Sequence, residues 1–122
     1  MKGERRMKGK TEKFEDLIVW QKARVFSLAI YKTFKTLRDF SFRDQIQRAA
    51  VSIMNNIAEG YERKGCREYG RFLFVAKGSC GEVRSMLHLA LGLDYISRQS
   101  YLLLSEQATE ISRMLYGLIK KL

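Results

Sequence analysis

The last quarter of the chain carries the strongest constraint on the fold. Tyr101, Leu104, Ala108, Ile111, Leu115, Leu118 and Leu122 alternate by three and four residues without a break. That spacing lines side chains along one side of an α-helix. The same alternation recurs upstream. Val19, Ala23, Phe26, Ile30, Thr33 and Leu37 mark a first helix over about residues 14–37. Phe42, Ile46, Ala49, Ala50, Ile53 and Ile57 mark a second that starts after Ser41. Tyr69, Phe72, Leu73, Ala76, Cys80, Val83, Leu87, Ala90 and Leu91 share a face of a third, over about residues 67–93.

Each stripe must be buried, and four helices that bury their stripes against one another form a four-helix bundle. The segments between them, near 39–41, 60–66 and 94–97, are short. Short connections force neighbouring helices to run in opposite senses, so the expectation is an all-α, antiparallel up-down-up-down bundle over residues 13–122. The chain contains no proline, where average usage gives roughly six in this length. Proline interrupts helix interiors, so its absence suits a chain that is nearly all helix. Residues 1–12 have no apolar period and are expected to form a flexible basic arm.

Local signals place the helix ends. Ser41 followed by Asp44 resembles a capping box, which makes Ser41 the expected N-cap of the second helix. Gly60 and Gly65 bracket the corner into the third helix. Gly78 and Gly81 lie inside the third helix, where each costs up to about 1 kcal/mol relative to alanine. A close backbone approach would justify them, so the run Gly78-Ser79-Cys80-Gly81 is read as a packing notch. The first helix also has Leu17, Trp20, Val25, Leu28 and Tyr31 away from its seam. This surplus apolar surface argues for contacts between subunits.

Catalytic chemistry finds no foothold. Cys80 and His88 are the obvious nucleophile and base, yet eight residues of helix separate them by about 12 Å. Cys80 also falls on the apolar stripe, where a thiol acts as a small hydrophobe. Cys66 and Cys80 are about 21 Å apart along one helix, too far for a disulfide. One histidine in the whole chain leaves no zinc set. Glu59 and Glu62 are one turn apart, but no Glu-x-x-His pair accompanies them for a diiron centre. The run from Gly78 to Glu82 lacks the preceding strand and the Gly-Lys-Ser/Thr ending of a phosphate loop. The protein is therefore expected to be no enzyme, with neither metal nor cofactor. No apolar run reaches the roughly 18 residues of a membrane span, and no signal peptide is visible, so the expected location is the cytoplasm.

Charge is the remaining lead. The formal net charge is +10, from 23 Lys plus Arg against 13 Asp plus Glu. Arg5, Arg6, Lys8 and Lys10 fall in the arm, and Arg63, Lys64 and Arg67 cluster at the second corner. Arg71 follows one turn beyond Arg67 on the same face, while Lys77 and Arg84 lie two turns apart on another flank. These residues are candidates for phosphate contacts without sequence readout. Asn55 and Asn56 are unusual inside a helix, and Asn56, beside the apolar stripe, is expected to bond to a neighbouring helix or a loop carbonyl.

The run from Gln45 to Gly60 resembles the signature of the "four helix bundle protein" family. That family includes proteins encoded in intervening sequences of bacterial large-subunit ribosomal RNA genes. Val19-Trp20-Gln21-Lys22-Ala23, Arg71-Phe72-Leu73 and Ala76-Lys77-Gly78-Ser79 agree with the same family. The resemblance covers about residues 14–122 and implies a homopentameric barrel of bundles. Its relatives among the accessory variability proteins of diversity-generating retroelements are basic, bind nucleic acid and associate with a reverse transcriptase. The family commonly has prolines in the first interhelical loop and after the Ser-Ile pair, where this chain has Asp39-Phe40-Ser41 and Met54. Arg48, Asn56, Glu59 and Gly60 match the family motif and are read as a buried or corner network, with Gly60 permitting a tight turn.

The expected function is thus that of a non-enzymatic oligomeric accessory protein. It binds RNA or DNA through basic surfaces without strong sequence specificity, with a reverse transcriptase as the implied partner. The alternative is a protein-interaction scaffold whose charge only maintains solubility.

Overall fold

In a computed structural model of the chain, residues 13–63 and 65–122 are described. The arm of residues 1–12, with its candidates Arg5, Arg6, Lys8 and Lys10, lies outside the described residues, as does Lys64. Among the described residues, a 3-10 turn at Phe14–Asp16 precedes four helices and no strand occurs. The helices are α1 (Ile18–Thr33), α2 (Phe40–Glu62), α3 (Cys66–Gly92) and α4 (Arg98–Lys121). Their main contacts close a ring in which α1 touches α2 and α4, and α3 touches α2 and α4. The result is a four-helix bundle around one core.

Phe26, Ile30, Ile46, Ile53, Ile57, Leu73, Leu87, Ile111 and Leu115 are essentially inaccessible within that core. Each such side chain contributes about 1.5–3 kcal/mol by leaving water. Polar groups also join the helices. The buried Ser27 hydroxyl on α1 donates to the Ala50 carbonyl on α2 at 3.2 Å. The Ser52 and Ser79 hydroxyls meet at 2.9 Å between α2 and α3.

The first helix is shorter than its stripe. Leu17 is extended (φ −72°, ψ 127°) and separates the 3-10 turn from α1. At the other end α1 stops at Thr33, and Phe34 takes φ −105°, ψ 17°. Thr33 is exposed as a result. Phe34 turns inward instead, and its ring packs 5.7 Å from that of Phe42. Closing the end of the core with a phenyl ring buries more apolar surface than the threonine would.

Asp39, not Ser41, caps α2. The Phe42 N–H donates to Asp39 Oδ1 at 3.1 Å, and the Arg43 N–H donates to the Asp39 carbonyl at 2.9 Å. Both residue types are good N-caps, and a long-range bond decides between them. The Tyr95 hydroxyl donates to Asp39 Oδ2 at 2.6 Å, while its ring stands edge-on to Phe42 at 5.3 Å. One carboxylate therefore starts α2 and ties the α1–α2 connection to the α3–α4 connection. The Tyr95 bond, and secondarily the Phe42 N–H, holds the Asp39 carboxyl below its ordinary range. Reciprocally, the Asp39 bond pushes the Tyr95 hydroxyl up. Ser97 caps α4 more simply, accepting from the Ser100 N–H at 3.1 Å.

Gly60 does not form a turn. Helix α2 continues through it to Glu62, and the corner is made at residues 63–65, where Gly65 takes φ +100°. Gly60 is buried because α3 approaches it: a methyl group there would lie 2.6 Å from Phe72 Cβ and 3.2 Å from Tyr69 Cδ1. No described residue of the chain fills the expected notch at Gly78 and Gly81. Ser79 and Cys80 point into the core, but open space surrounds both glycines.

Two outcomes follow. Gly60→Ala is expected to destabilise the bundle by about 1–3 kcal/mol through overpacking. Phe72 Cβ is fixed to the α3 backbone and cannot swing aside. Gly117→Ala, with nothing within 4 Å of the added methyl, is expected to gain up to about 1 kcal/mol of helix propensity. Urea midpoints distinguish the two. Because the Asp39 carboxyl is held low, its contribution is present above the ordinary value of 3.8 and disappears as pH falls through its folded value. Thermal melts below about pH 4 should therefore show an acid loss that Asp39→Asn reduces. An equal loss in both proteins would contradict this role.

Candidate nucleic-acid interface

The basic residues singled out from sequence are not brought into one patch. At the second corner, Arg63 pairs with Glu59 at 3.0 Å one turn earlier, and its guanidinium lies 5.0 Å from the centre of the Phe72 ring. Arg71 pairs with Glu68 at 3.3 Å. Arg67 and Arg84 are exposed on α3 without an ion pair among the described residues. Lys77 faces a different neighbour, α4.

At that place a groove of about 320 Å³ runs between α3 and α4, lined by Lys77, Ser112, Arg113, Tyr116, Gly117 and Lys120. Tyr116 is 51% exposed. The Lys120 and Lys77 ammonium groups lie 5.3 Å and 6.0 Å from the centre of its ring. Contacts of this length are weakly attractive at an exposed site, worth about 0.5–1 kcal/mol. Among the described residues, none of Lys77, Arg113 and Lys120 is ion-paired with a carboxylate. The sequence reading found Lys77 but missed the α4 residues. Their signal was the spacing of Arg113, Tyr116 and Lys120 by three and four residues, which aligns them on one flank of a helix.

A second groove, between α1 and α2, is lined by Tyr31, Lys32, Lys35, Arg43 and Gln47. Here Arg43 is partly engaged: it pairs with Asp44 at 3.3 Å and lies 4.8 Å from the centre of the Phe40 ring. Tyr31 also lines an adjoining depression with Arg48, Val51, Ser52, Asn55 and Asn56.

The four family-motif residues form no single network. The half-buried Asn56 donates from Nδ2 to the Ser52 carbonyl at 2.8 Å and to the Ser52 hydroxyl at 3.0 Å. Among the described residues, it reaches α3 through the Ser52–Ser79 pair. Arg48 is exposed on α2, Glu59 is exposed and holds Arg63, and Gly60 makes the close approach to Phe72.

Cys80 is fully buried, and burial pushes its thiol up to about 12. A thiol held so strongly in its neutral form is a poor nucleophile. His88 is exposed, with the Tyr101 hydroxyl 3.0 Å from its Nε2 and 3.2 Å from its Nδ1. Among the described residues, no group of three or more His, Cys, Asp or Glu can hold a metal ion. Nor is any described helix long and apolar enough to cross a membrane.

The family model for 23S rRNA-intervening sequence proteins matches residues 15–117. The chain belongs to that family. The bundle is similar to the crystal structure of a protein of unknown function from the S23 ribosomal protein family of Bacteroides thetaiotaomicron. The TM-score is 0.80 at 28% identity, covering 84% of this chain and 99% of that one. No curated protein matches the sequence.

Proposed function

We propose that this member of the intervening sequence protein family is a non-enzymatic, oligomeric accessory protein that binds nucleic acid through its helical surfaces. The observation that carries the reading is the α3–α4 groove, where three cations converge and none is compensated by a carboxylate among the described residues. Phosphodiesters, repeated along a strand, are the polyanion that such a surface attracts, and charge contacts of this kind carry no sequence readout. The formal charge of +10 adds long-range attraction.

The antiparallel arrangement belongs to the same reading. Gly60 lies against Phe72, while Ser52 lies against Ser79, so residue numbers rise along α2 as they fall along α3. Self-association, as a homopentamer by family resemblance, is supported by apolar side chains left on outer surfaces. Phe74, Val75 and Leu89 on α3, and Ile18 and Val25 on α1, are more than half exposed. The open glycines Gly78 and Gly81 on α3 would let another backbone come close. An assembly would present the basic groove repeatedly along one strand, and weak contacts would then act together. A reverse transcriptase is the implied protein partner.

Fluorescently labelled RNA and DNA titrated across a salt series test the proposal. Micromolar or tighter binding with a steep salt dependence is expected. The double variant Lys77→Gln/Arg113→Gln should lower the slope by about two. Deleting residues 1–12 separates the arm from the bundle. Absence of binding at low salt would overturn the reading. Sedimentation of the full chain should give a multiple of the 14.2 kDa subunit mass, and Val75→Asp/Leu89→Asp should lower it. A wild-type monomer would refute the oligomer.

A further inference from the structure

We infer that the α3–α4 groove is a stacking site for an unpaired base, which makes the protein selective for single-stranded over duplex nucleic acid. The inference rests on the nucleic-acid reading above and adds the form of the strand that the groove accepts.

The groove differs from an ordinary basic surface in having an aromatic centre. Tyr116 is half exposed, although a phenol ring gains by being covered. Gly117, next along α4, adds no side chain to the groove, and open space surrounds the position its Cβ would take. Lys77 approaches the ring from α3, while Lys120 and Arg113 lie on α4, one turn from Tyr116 on either side. A planar base fits this arrangement. Its face can stack on the phenol ring, while the two ammonium groups, on long flexible stems, leave the ring for the phosphates on either side of the base. The Arg113 guanidinium can hold a phosphate oxygen pair or stack on a neighbouring base. The volume of about 320 Å³ accommodates one nucleotide.

A duplex offers the cations its phosphates but keeps its base faces stacked on one another. An unpaired strand offers both, so the tyrosine contributes only to the single strand. Stacking on the ring and contacts to phosphate do not depend on the ribose 2′-hydroxyl, so RNA and DNA single strands should bind alike. Peptide polyanions lack the flat base that the ring would cover.

The test compares a labelled 20-mer of uridine, a 20-mer of thymidine and a 20-base-pair duplex of mixed sequence, on the full chain at fixed salt. Tyr116→Ala is expected to weaken both single strands by about tenfold while changing duplex affinity less than twofold. Tyr116→Phe should keep single-strand affinity, because the ring face remains. Lys77→Gln should weaken all three ligands. Circular dichroism melts confirm that each variant folds, as expected for an exposed helical position. Equal effects of Tyr116→Ala on strand and duplex, or no effect on either, would overturn the stacking site and leave the broader nucleic-acid reading standing. If wild-type protein binds none of the three ligands at low salt, both readings fall together.

Discussion

Helix α3 can lie where it does because α2 has no side chain at Gly60. The 2.6 Å that would separate an added Cβ from Phe72 Cβ is shorter than real carbon contacts, so the two helices approach closely there. Eight residues earlier on α2, the Ser52 hydroxyl meets Ser79 at 2.9 Å. Two separate points along one interface fix both the register and the rotation of the pair. On its other flank α2 receives the buried Ser27 hydroxyl from α1 at the Ala50 carbonyl. These two flanks make α2 the helix from which the others take their positions, and α4 closes the ring by filling the space between α1 and α3. Tyr95 then joins the two connections at one end of the bundle through the Asp39 cap.

Once that geometry is set, the core takes up one stripe from each helix and leaves other apolar residues outside. Among the described residues, Val25 and Leu28 on α1 and Phe74, Val75 and Leu89 on α3 are left exposed. Exposed single apolar residues are ordinary on monomers. Several on one helix, beside glycines that meet nothing, are harder to reconcile with a free surface. Acidic side chains meanwhile neutralise part of the basic surface: Glu59, Glu68, Asp44 and Glu110 pair with Arg63, Arg71, Arg43 and Lys22. What distinguishes one basic region from another is therefore how its cations are compensated, more than how many there are.

Periodicity made the bundle legible because a helix that buries one face must repeat apolar residues every three or four positions, and every such stripe in this chain is buried over most of its length. Helix ends were less legible for a specific reason. Asp39 and Ser41 are both competent caps, and only the fold brings Tyr95 to the carboxylate. Gly60 was misread because glycine is equally expected at a helix end and at a close helix crossing. No described residue of the chain fills the notch at Gly78 and Gly81; sequence cannot say whether an interior glycine faces its own bundle or outward. The candidate interface was legible only on α3. Lys77 and Tyr116 are far apart in sequence and meet through the packing of α3 on α4, which no local spacing encodes.

The ion pairs at the corner do not exclude Arg63 and Arg71 from binding phosphate. Exposed pairs of this kind are worth about 0–1 kcal/mol, and a phosphate can displace the carboxylate at little loss. Compensation instead sets a small difference between those arginines and the cations of the α3–α4 groove. A basic protein that relied on charge alone would gain similar affinity from any of its cationic surfaces, and the groove would have no special standing. The exposed ring of Tyr116 breaks that equivalence. It offers a strand a more open aromatic face than the partly buried Phe72 ring beside Arg63 does. In the proposed function, charge would bring the polymer to every part of the surface. The aromatic face would give one part of it a longer residence, because release there must undo a stacked contact as well as exchange counterions.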